Sequence, residues 1–473
     1  MTLPDAVDVL VVGFGAAGAS AAIAAHDAGA RVAIAEKGRA GGGNCWYSGG
    51  FLFDVDGPAA VDHLDALCFG RTDREVLAAF AAGLHEVPGW LAGLGGETTE
   101  CEPDAFGGML PSWPHFPGAG HVTYRQFTPA GNRRPGEALW AVLEQAVRAR
   151  GIPVACEAPA RDLLLGDDGG VEGAVIGTDA IRARGGVVLA SGGFEYDEEL
   201  RDAFLPLPLV PVGHVGNTGD TLRLAQRAGA ALWHMSAFFG WLSFRLPEYA
   251  AGFTLDVHAP SFVYVDGDGR RFADETGWEV HDKVRSLTAY LPRRPNRPRM
   301  PGHIVFDEAA RVAGPLHGIV GSPNGYRWSP DNSAELARGW ITRGETAEEL
   351  ADAAGIDAQT LTATLERYAA ATACGRDDDF GRVRETLVPL RPPLYAIAFW
   401  PGLATASGGP RRDARARVLR GGGTPIPGLY GAGAAGSIWG HLTEHGGGLS
   451  DAIVFGRIAG AQAASHRHRQ EST

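Results

Sequence analysis

Three residues close together near the C-terminus, His441, Glu444 and His445, are of the types that move protons. An imidazole titrates near neutral pH, and a carboxylate a few positions away can orient it or tune it, so the trio reads as a base with its orienting partner. A His-Glu-His set also raises zinc, but neither a fourth ligand nor an HExxH spacing accompanies it, and no metal is expected. A second kind of chemistry is carried by glycine. Gly13-Phe14-Gly15-Ala16-Ala17-Gly18 matches the phosphate-cradling GxGxxG pattern: Gly13 for a tight turn, Gly15 for close approach of backbone to a pyrophosphate, Gly18 for close packing of helix on strand. Glu36, with Lys37 after it, stands where an acid accepts from a ribose hydroxyl and disfavours a 2′-phosphate.

The elements that must position these groups are legible around them. An apolar run at 7–12, interrupted by Asp8, precedes the glycines, a small-residue helical run follows at 19–28, and a second apolar run at 30–35 leads to Glu36. Strand, turn, helix, strand and acid thus fall in the order a dinucleotide site needs, with the helix N-terminus supplying N–H groups and positive dipole to the phosphates. Beyond it, Gly41-Gly42-Gly43-Asn44-Cys45-Trp46-Tyr47-Ser48-Gly49-Gly50 sets two glycine clusters around polar and aromatic residues, a composition suited to backbone passing against a large flat ring.

At 473 residues the chain has room for two or more domains, and its apolar and charged fractions are those of a globular protein. A net charge of −13 argues against a polyanion-binding surface, and no basic run exceeds short pieces such as Arg293-Arg294, so no nucleic-acid partner is expected. The five cysteines are scattered and form no CxxC, giving neither a disulfide framework nor an iron–sulfur or zinc site; Cys45 is expected to be a small apolar filler. The first strand begins almost at Met1 and no apolar run reaches bilayer length, so a cytoplasmic protein with no membrane partner is expected.

Further along, residues 73–94 read as a helix broken by Pro88, 98–134 as an ordered loop region in which His115, His121, Tyr124 and Arg125 could face substrate, and 136–150 as an amphipathic helix. Residues 163–165 and 171–176 form a hairpin across Asp167-Asp168-Gly169-Gly170. Thr218 or Asp220 can cap the helix at 222–230, and Asp357 the helix at 358–372, which follows another at 347–354.

Several segments together resemble the fumarate reductase / succinate dehydrogenase flavoprotein superfamily, including its 3-ketosteroid dehydrogenase branch. They are the GG-x-x-x-x-S-GG loop at 42–50, Ser191-Gly192-Gly193-Phe194, Thr218-Gly219-Asp220, Gly269-Arg270-Arg271-Phe272-Ala273-Asp274-Glu275, and Gly428 to Gly460 with its Phe455-Gly456-Arg457-Ile458-Ala459-Gly460 helix. The resemblance implies an α/β fold: a Rossmann-like FAD-binding domain at 1–230 and 405–473, with an inserted α+β capping domain at 231–404. It implies FAD, held by Gly13, Gly15, Ala16, Ala17, Gly18, Glu36, Lys37, Gly42, Gly43, Asn44, Ser48, Gly49, Gly50, Ser191, Gly192, Asp220, Gly433, Leu449 and Ser450. The tethering histidine of covalent relatives falls near Gly43 here, so the FAD is expected to be noncovalent. A helix starting near Leu449 would aim its dipole at the flavin pyrimidine.

The reaction class implied is dehydrogenation of a CH–CH bond, or reduction of an activated C=C, by hydride transfer at flavin N5 in a small-molecule substrate. The cationic residues with which fumarate reductases grip two carboxylates are replaced, falling at Thr405, near Glu279 and near Thr443, so the expected substrate is apolar or cyclic rather than a C4-dicarboxylate. The tyrosine of the steroid enzymes is missing from 440–446. The loop that should lie beside the flavin instead carries His441, Glu444 and His445, and Tyr264 and His281, with Glu279, are the second candidates for catalysis. An FAD oxidase or monooxygenase, and an electron-relay subunit of a complex, are the competing readings; the sequence leaves the electron acceptor open.

Overall fold

The computed structural model describes residues 3–102, 110–205, 208–277, 279, 281, 283–287, 299–318 and 321–470. Residues 103–109 of the aromatic stretch and Arg293-Arg294 lie outside them. The chain divides into two compact units: residues 1–206, 213–239 and 405–473, and residues 207–212 and 240–404. Most of the second unit is the stretch 240–404, joined by 207–212. The Leu232–Trp233 strand pairs with Gly409–Pro410 and so stays with the first unit.

The first unit is built on a sheet in which β1 (Ala6–Val12) lies between β2 (Val32–Ala35) and the strand Asp179–Leu189, parallel to both. Pro425–Gly431 extends the sheet in parallel on one side and Val154–Ala155 on the other. Strands of this kind are covered on both faces, which is why β1 is apolar at successive positions rather than alternate ones. Asp8, fully buried within it, accepts from the Arg31 N–H at 2.8 Å and from the Arg184 guanidinium at 2.6 Å, tying β1 to the residue before β2 and to the middle of the strand Asp179–Leu189.

Helix α1 (Ala16–Asp27) has no polar face because nearly all of it is buried. The C-terminal helix, Gly447–Gln470, starts ahead of Leu449 and lies against α1. A Cβ on Gly456 would come 2.5 Å from the Ala17 carbonyl oxygen, and one on Gly460 2.0 Å from that of Ala21. The two glycines of the Phe455–Gly460 motif thus have a packing reason: only a helix without side chains there can approach so closely.

Residues 73–94 form two helices, Arg74–Leu84 and Val87–Gly93, with Pro88 in the first turn of the second, where its missing N–H costs nothing. Within 98–134 the reading as loop is corrected. Val122–Phe127 is a strand pairing antiparallel with β3 (Phe51–Val55) and with Thr98–Glu100. The aromatic and polar residues there had hidden the period-two signal.

The second unit carries a sheet in which Gly302–Asp307 runs antiparallel between Phe262–Val265 and Leu394–Ala406. The helices Ala347–Ala354 and Ala358–Cys374 pack on it, and Asp357 caps the latter by accepting from the Thr360 N–H at 2.8 Å. The Arg271–Glu275 motif is a buried ion cluster: Arg271 bonds Glu275 (2.7 Å) and Asp377 (2.8 Å), and Arg382 bonds Glu275 (3.1 Å). No helix among the described residues is long and apolar enough to cross a membrane.

Candidate functional site

The glycines at the start of α1 differ in what they do. Gly13 has φ +101°, and a Cβ there would lie 2.5 Å from the Ala190 carbonyl oxygen, so the turn itself requires glycine. A Cβ on Gly18 would lie 2.0 Å from the Gly13 oxygen, so the packing of α1 on the turn requires glycine too. Gly15 has neither excuse. Its φ of −103° suits any residue, and the nearest atom to a Cβ would be the Gly42 oxygen at 3.6 Å. Gly43, held at φ +50°, has open space beside it too, facing only the Gly15 Cα at 3.9 Å. Among the described residues, no side chain fills this space. It lies at the first turn of α1, where Ala16 and Ala17 begin the helix and its N-terminal amides need acceptors.

The second glycine loop is bound to the first. The Gly42 N–H donates to the Phe14 oxygen at 2.7 Å, and 43–47 coil into a short helix, α2 (Gly43–Tyr47). Glu36 accepts from the Phe14 N–H at 2.8 Å and the Gly38 N–H at 2.7 Å, holding its carboxylate beside the glycine turn. Lys37 donates to Thr218 (2.6 Å) and Asp220 (2.5 Å). Neither of those side chains caps the helix Asp220–Arg227, whose cap is Gly219 at φ +77°; the lysine has claimed them.

Asn44 accepts at Oδ1 from the His214 N–H (2.7 Å) and from Asn217 (3.2 Å), and reaches Thr405 through Nδ2 at 3.4 Å. Ser48 donates to the Cys45 oxygen, the Gly49 oxygen accepts from Gln126, and Gly50, at φ +68°, is pressed against Pro135. Ser191 bonds the Thr221 hydroxyl at 2.7 Å. A Cβ on Gly192 would come 2.5 Å from Asn217, and one on Gly433 3.0 Å from Ala17. Ser450, in the first turns of the C-terminal helix after Leu449, accepts from the Phe53 N–H at 3.4 Å. Cys45 is buried, which pushes its thiol up to about 12, as befits an apolar filler. A held acid, a helix N-terminus and a glycine cradle with open space fit the pyrophosphate and ribose of a dinucleotide.

The family model for the FAD binding domain matches residues 8–450 of this chain. The chain belongs to the FAD binding domain family. This flavoprotein is 27% identical over 483 residues to the fumarate reductase (cytochrome) of Shewanella frigidimarina, covering 98% of this chain and 78% of that protein. It is 30% identical over 517 residues to 4-oxocyclohexanecarboxylate 2-dehydrogenase of Sinomonas cyclohexanicum, covering 90% of this chain and 87% of that protein. Its fold is that of 3-ketosteroid Δ1-dehydrogenase from Sterolibacterium denitrificans, with a TM-score of 0.85 at 24% identity over 98% of this chain and 100% of that one. It is an FAD-dependent oxidoreductase.

His441, Glu444 and His445 are arranged otherwise than their spacing suggests. Glu444 does not orient a histidine of its own loop. It is fully buried, meets His63 of α3 (Ala60–Cys68) at 2.7 Å, and accepts from the Tyr124 hydroxyl at 2.5 Å. The Tyr124 oxygen in turn accepts from the Ser112 N–H at 2.9 Å, and burial, followed by the Glu444 charge, raises its phenol far above the usual range. Tyr124 therefore points into the protein as an anchor. His441 stacks on Phe69 with ring centres 4.3 Å apart, and His445 meets the Phe51 ring edge-on at 4.3 Å while its N–H donates to the Ser112 hydroxyl.

In the second unit, Tyr264 is buried in the sheet beside Phe262 and Phe399, and burial raises its phenol strongly. His281 has what Glu444 was expected to supply: its Nδ1 lies 2.8 Å from Glu279, and its ring sits edge-on to Trp241 at 5.2 Å. His63, Ser112 and Glu195 are not among the residues to which the sequence pointed. For Glu195 there was a signal, an acid directly after Ser191-Gly192-Gly193-Phe194 at the end of a buried strand. For His63 there was none. Asp54, Asp56 and His85 also bring ligand-type atoms within 4.8 Å of one another at the surface, where His85 pairs with both acids.

Proposed function

We propose that this flavoprotein oxidises or reduces the CH–CH bond beside the carbonyl of a ring ketone that carries no pair of carboxylates. One observation carries the reading: Thr405, which the resemblance sets where fumarate reductases have a cationic grip, accepts from Asn44 Nδ2 at 3.4 Å, and the other two grips fall near Glu279 and near Thr443. The Thr443 hydroxyl bonds the Glu444 oxygen at 3.1 Å and its carbonyl accepts from Trp113 at 2.7 Å, leaving it committed to the loop. The 4-oxocyclohexanecarboxylate dehydrogenase among the relatives supports a cyclic ketone with at most one carboxylate.

FAD, when bound, supplies the two-electron chemistry. The chain's part is to hold the substrate carbon against it and to move a proton at the neighbouring carbon. This reading gives the proton to His445, whose main chain is fixed through Ser112, or to His281, oriented by Glu279. Glu444 serves by fixing the loop that carries His445.

The test is anaerobic mixing of the yellow holoenzyme with a cyclohexanone carboxylate, a 3-ketosteroid and succinate, each in turn. Bleaching of the flavin by a ring ketone and not by succinate is expected. Bleaching by succinate alone would sink the proposal.

A further inference from the structure

Glu195 is completely buried in the first unit, and nothing in the flavin chemistry above uses it. One carboxyl oxygen accepts from the Ala406 N–H at 2.8 Å; the other has no hydrogen-bond partner among the described residues. The carboxyl lies over Gly193, where a Cβ would come 2.7 and 2.9 Å from its two oxygens. The adjacent Gly192 leaves the same kind of room for Asn217. The glycine pair of the Ser191-Gly192-Gly193-Phe194 motif thus houses a buried acid and a buried amide side by side.

From that pair a chain of contacts leads to the cofactor cradle. Asn217 donates to Asn44 Oδ1, and Asn44 reaches the Thr405 hydroxyl, next to the Ala406 whose N–H Glu195 holds. Asn44 directly follows Gly43, one of the two glycines whose open space marks the cradle.

We propose that Glu195 is held as a neutral carboxylic acid and acts as a positioning residue for the flavin site, fixing Asn44 of the cofactor loop and Thr405–Ala406 of the returning strand together through Asn217.

The physical reason is the bare oxygen. A buried carboxylate with one oxygen unbonded is costly, and a proton removes the charge. The groups that face Glu195 are the Ala406 amide from the strand, Asn217 from the 213–219 segment, and the adjoining Tyr196, whose hydroxyl donates to the Gly213 oxygen. None is a cation. Burial pushes the Glu195 carboxyl up to about 7, against the pull of the Glu195 and Ala406 amides and the Asn217 side chain. His214, the Lys37–Asp220 pair and Glu36 lie further along the network, on the side of Asn44. Release of the proton goes to solvent and involves no electron. Above neutral pH the anion forms, and a negative charge is added beside a site for an anionic cofactor.

The experiment uses the FAD holoenzyme. Infrared difference spectra between about pH 6 and about pH 8.5 are expected to show loss of a buried carboxylic acid band, absent from Glu195→Gln. The FAD dissociation constant, read by flavin fluorescence on dilution, is expected to rise about fivefold or more over that interval in the native chain and to stay flat in Glu195→Gln. Retention of both the band and the rise in Glu195→Gln overturns the proposal, as does a native chain that shows neither. Should Glu195→Gln fail to fold, the native infrared arm still decides the neutral acid. Asn217→Ala then decides the positioning: FAD must loosen at every pH while the acid band remains, and unchanged FAD binding refutes the link.

Discussion

Nε2 of His63 lies 2.7 Å from Oε1 of Glu444, with both side chains wholly excluded from water. The other ring nitrogen, Nδ1, faces the Pro117 oxygen at 2.7 Å. A carbonyl can only accept, so Nδ1 carries a proton, and one further proton is shared between Nε2 and the carboxyl. Removing one partner leaves the other buried and unmatched. Glu444→Ala is expected to lower stability by about 3–5 kcal/mol, and Glu444→Gln by clearly less. Denaturant titration of the holoenzyme checks both; equal midpoints for Glu444→Ala and the native chain would show that this contact holds nothing.

The two glycines Gly15 and Gly18 should fail in opposite ways. Gly15→Val is expected to fold, since the protein leaves room beside it, and to purify without flavin absorbance. Gly18→Ala places its methyl 2.0 Å from the Gly13 oxygen and should lose stability first, FAD or none. Full yellow colour in Gly15→Val would contradict the reading of the cradle.

His445→Ala and His281→Ala separate the two candidates for proton transfer. Whichever is the acid or base should slow flavin reduction by substrate roughly tenfold or more, the low end of what such groups contribute. Flavin content should be unchanged. Ordinary reduction rates in both variants would return the two histidines to structural duty.

In the second unit, burial pushes His303 down to about 4, and its Nδ1 has no hydrogen-bond partner among the described residues. The unfolded chain, with a histidine near its usual value of about 6.5, takes up the proton first as pH falls. The stability due to neutral His303 is therefore full above about pH 6.5 and is lost towards pH 4, on the order of 3 kcal/mol in all. Urea midpoints at a series of pH values should show a slope in this window that His303→Gln flattens. An unchanged slope would mean that other groups carry the acid sensitivity.

The strand–turn–helix of β1 and α1, the acid at Glu36, the C-terminal helix and the cap at Asp357 were all legible in the chain. Each depends on neighbours within a few turns, where backbone sterics and hydrophobic period act directly. The family segments carried the same information over longer stretches. Side-chain partnerships were not legible. Glu444 sits one position from His445 yet bonds a histidine 381 positions away, and Glu195 bonds an amide 211 positions away. Burial makes the choice: once a carboxyl is shut away from water it must take whatever donor the packing of distant elements brings to it, and no local period encodes which that will be.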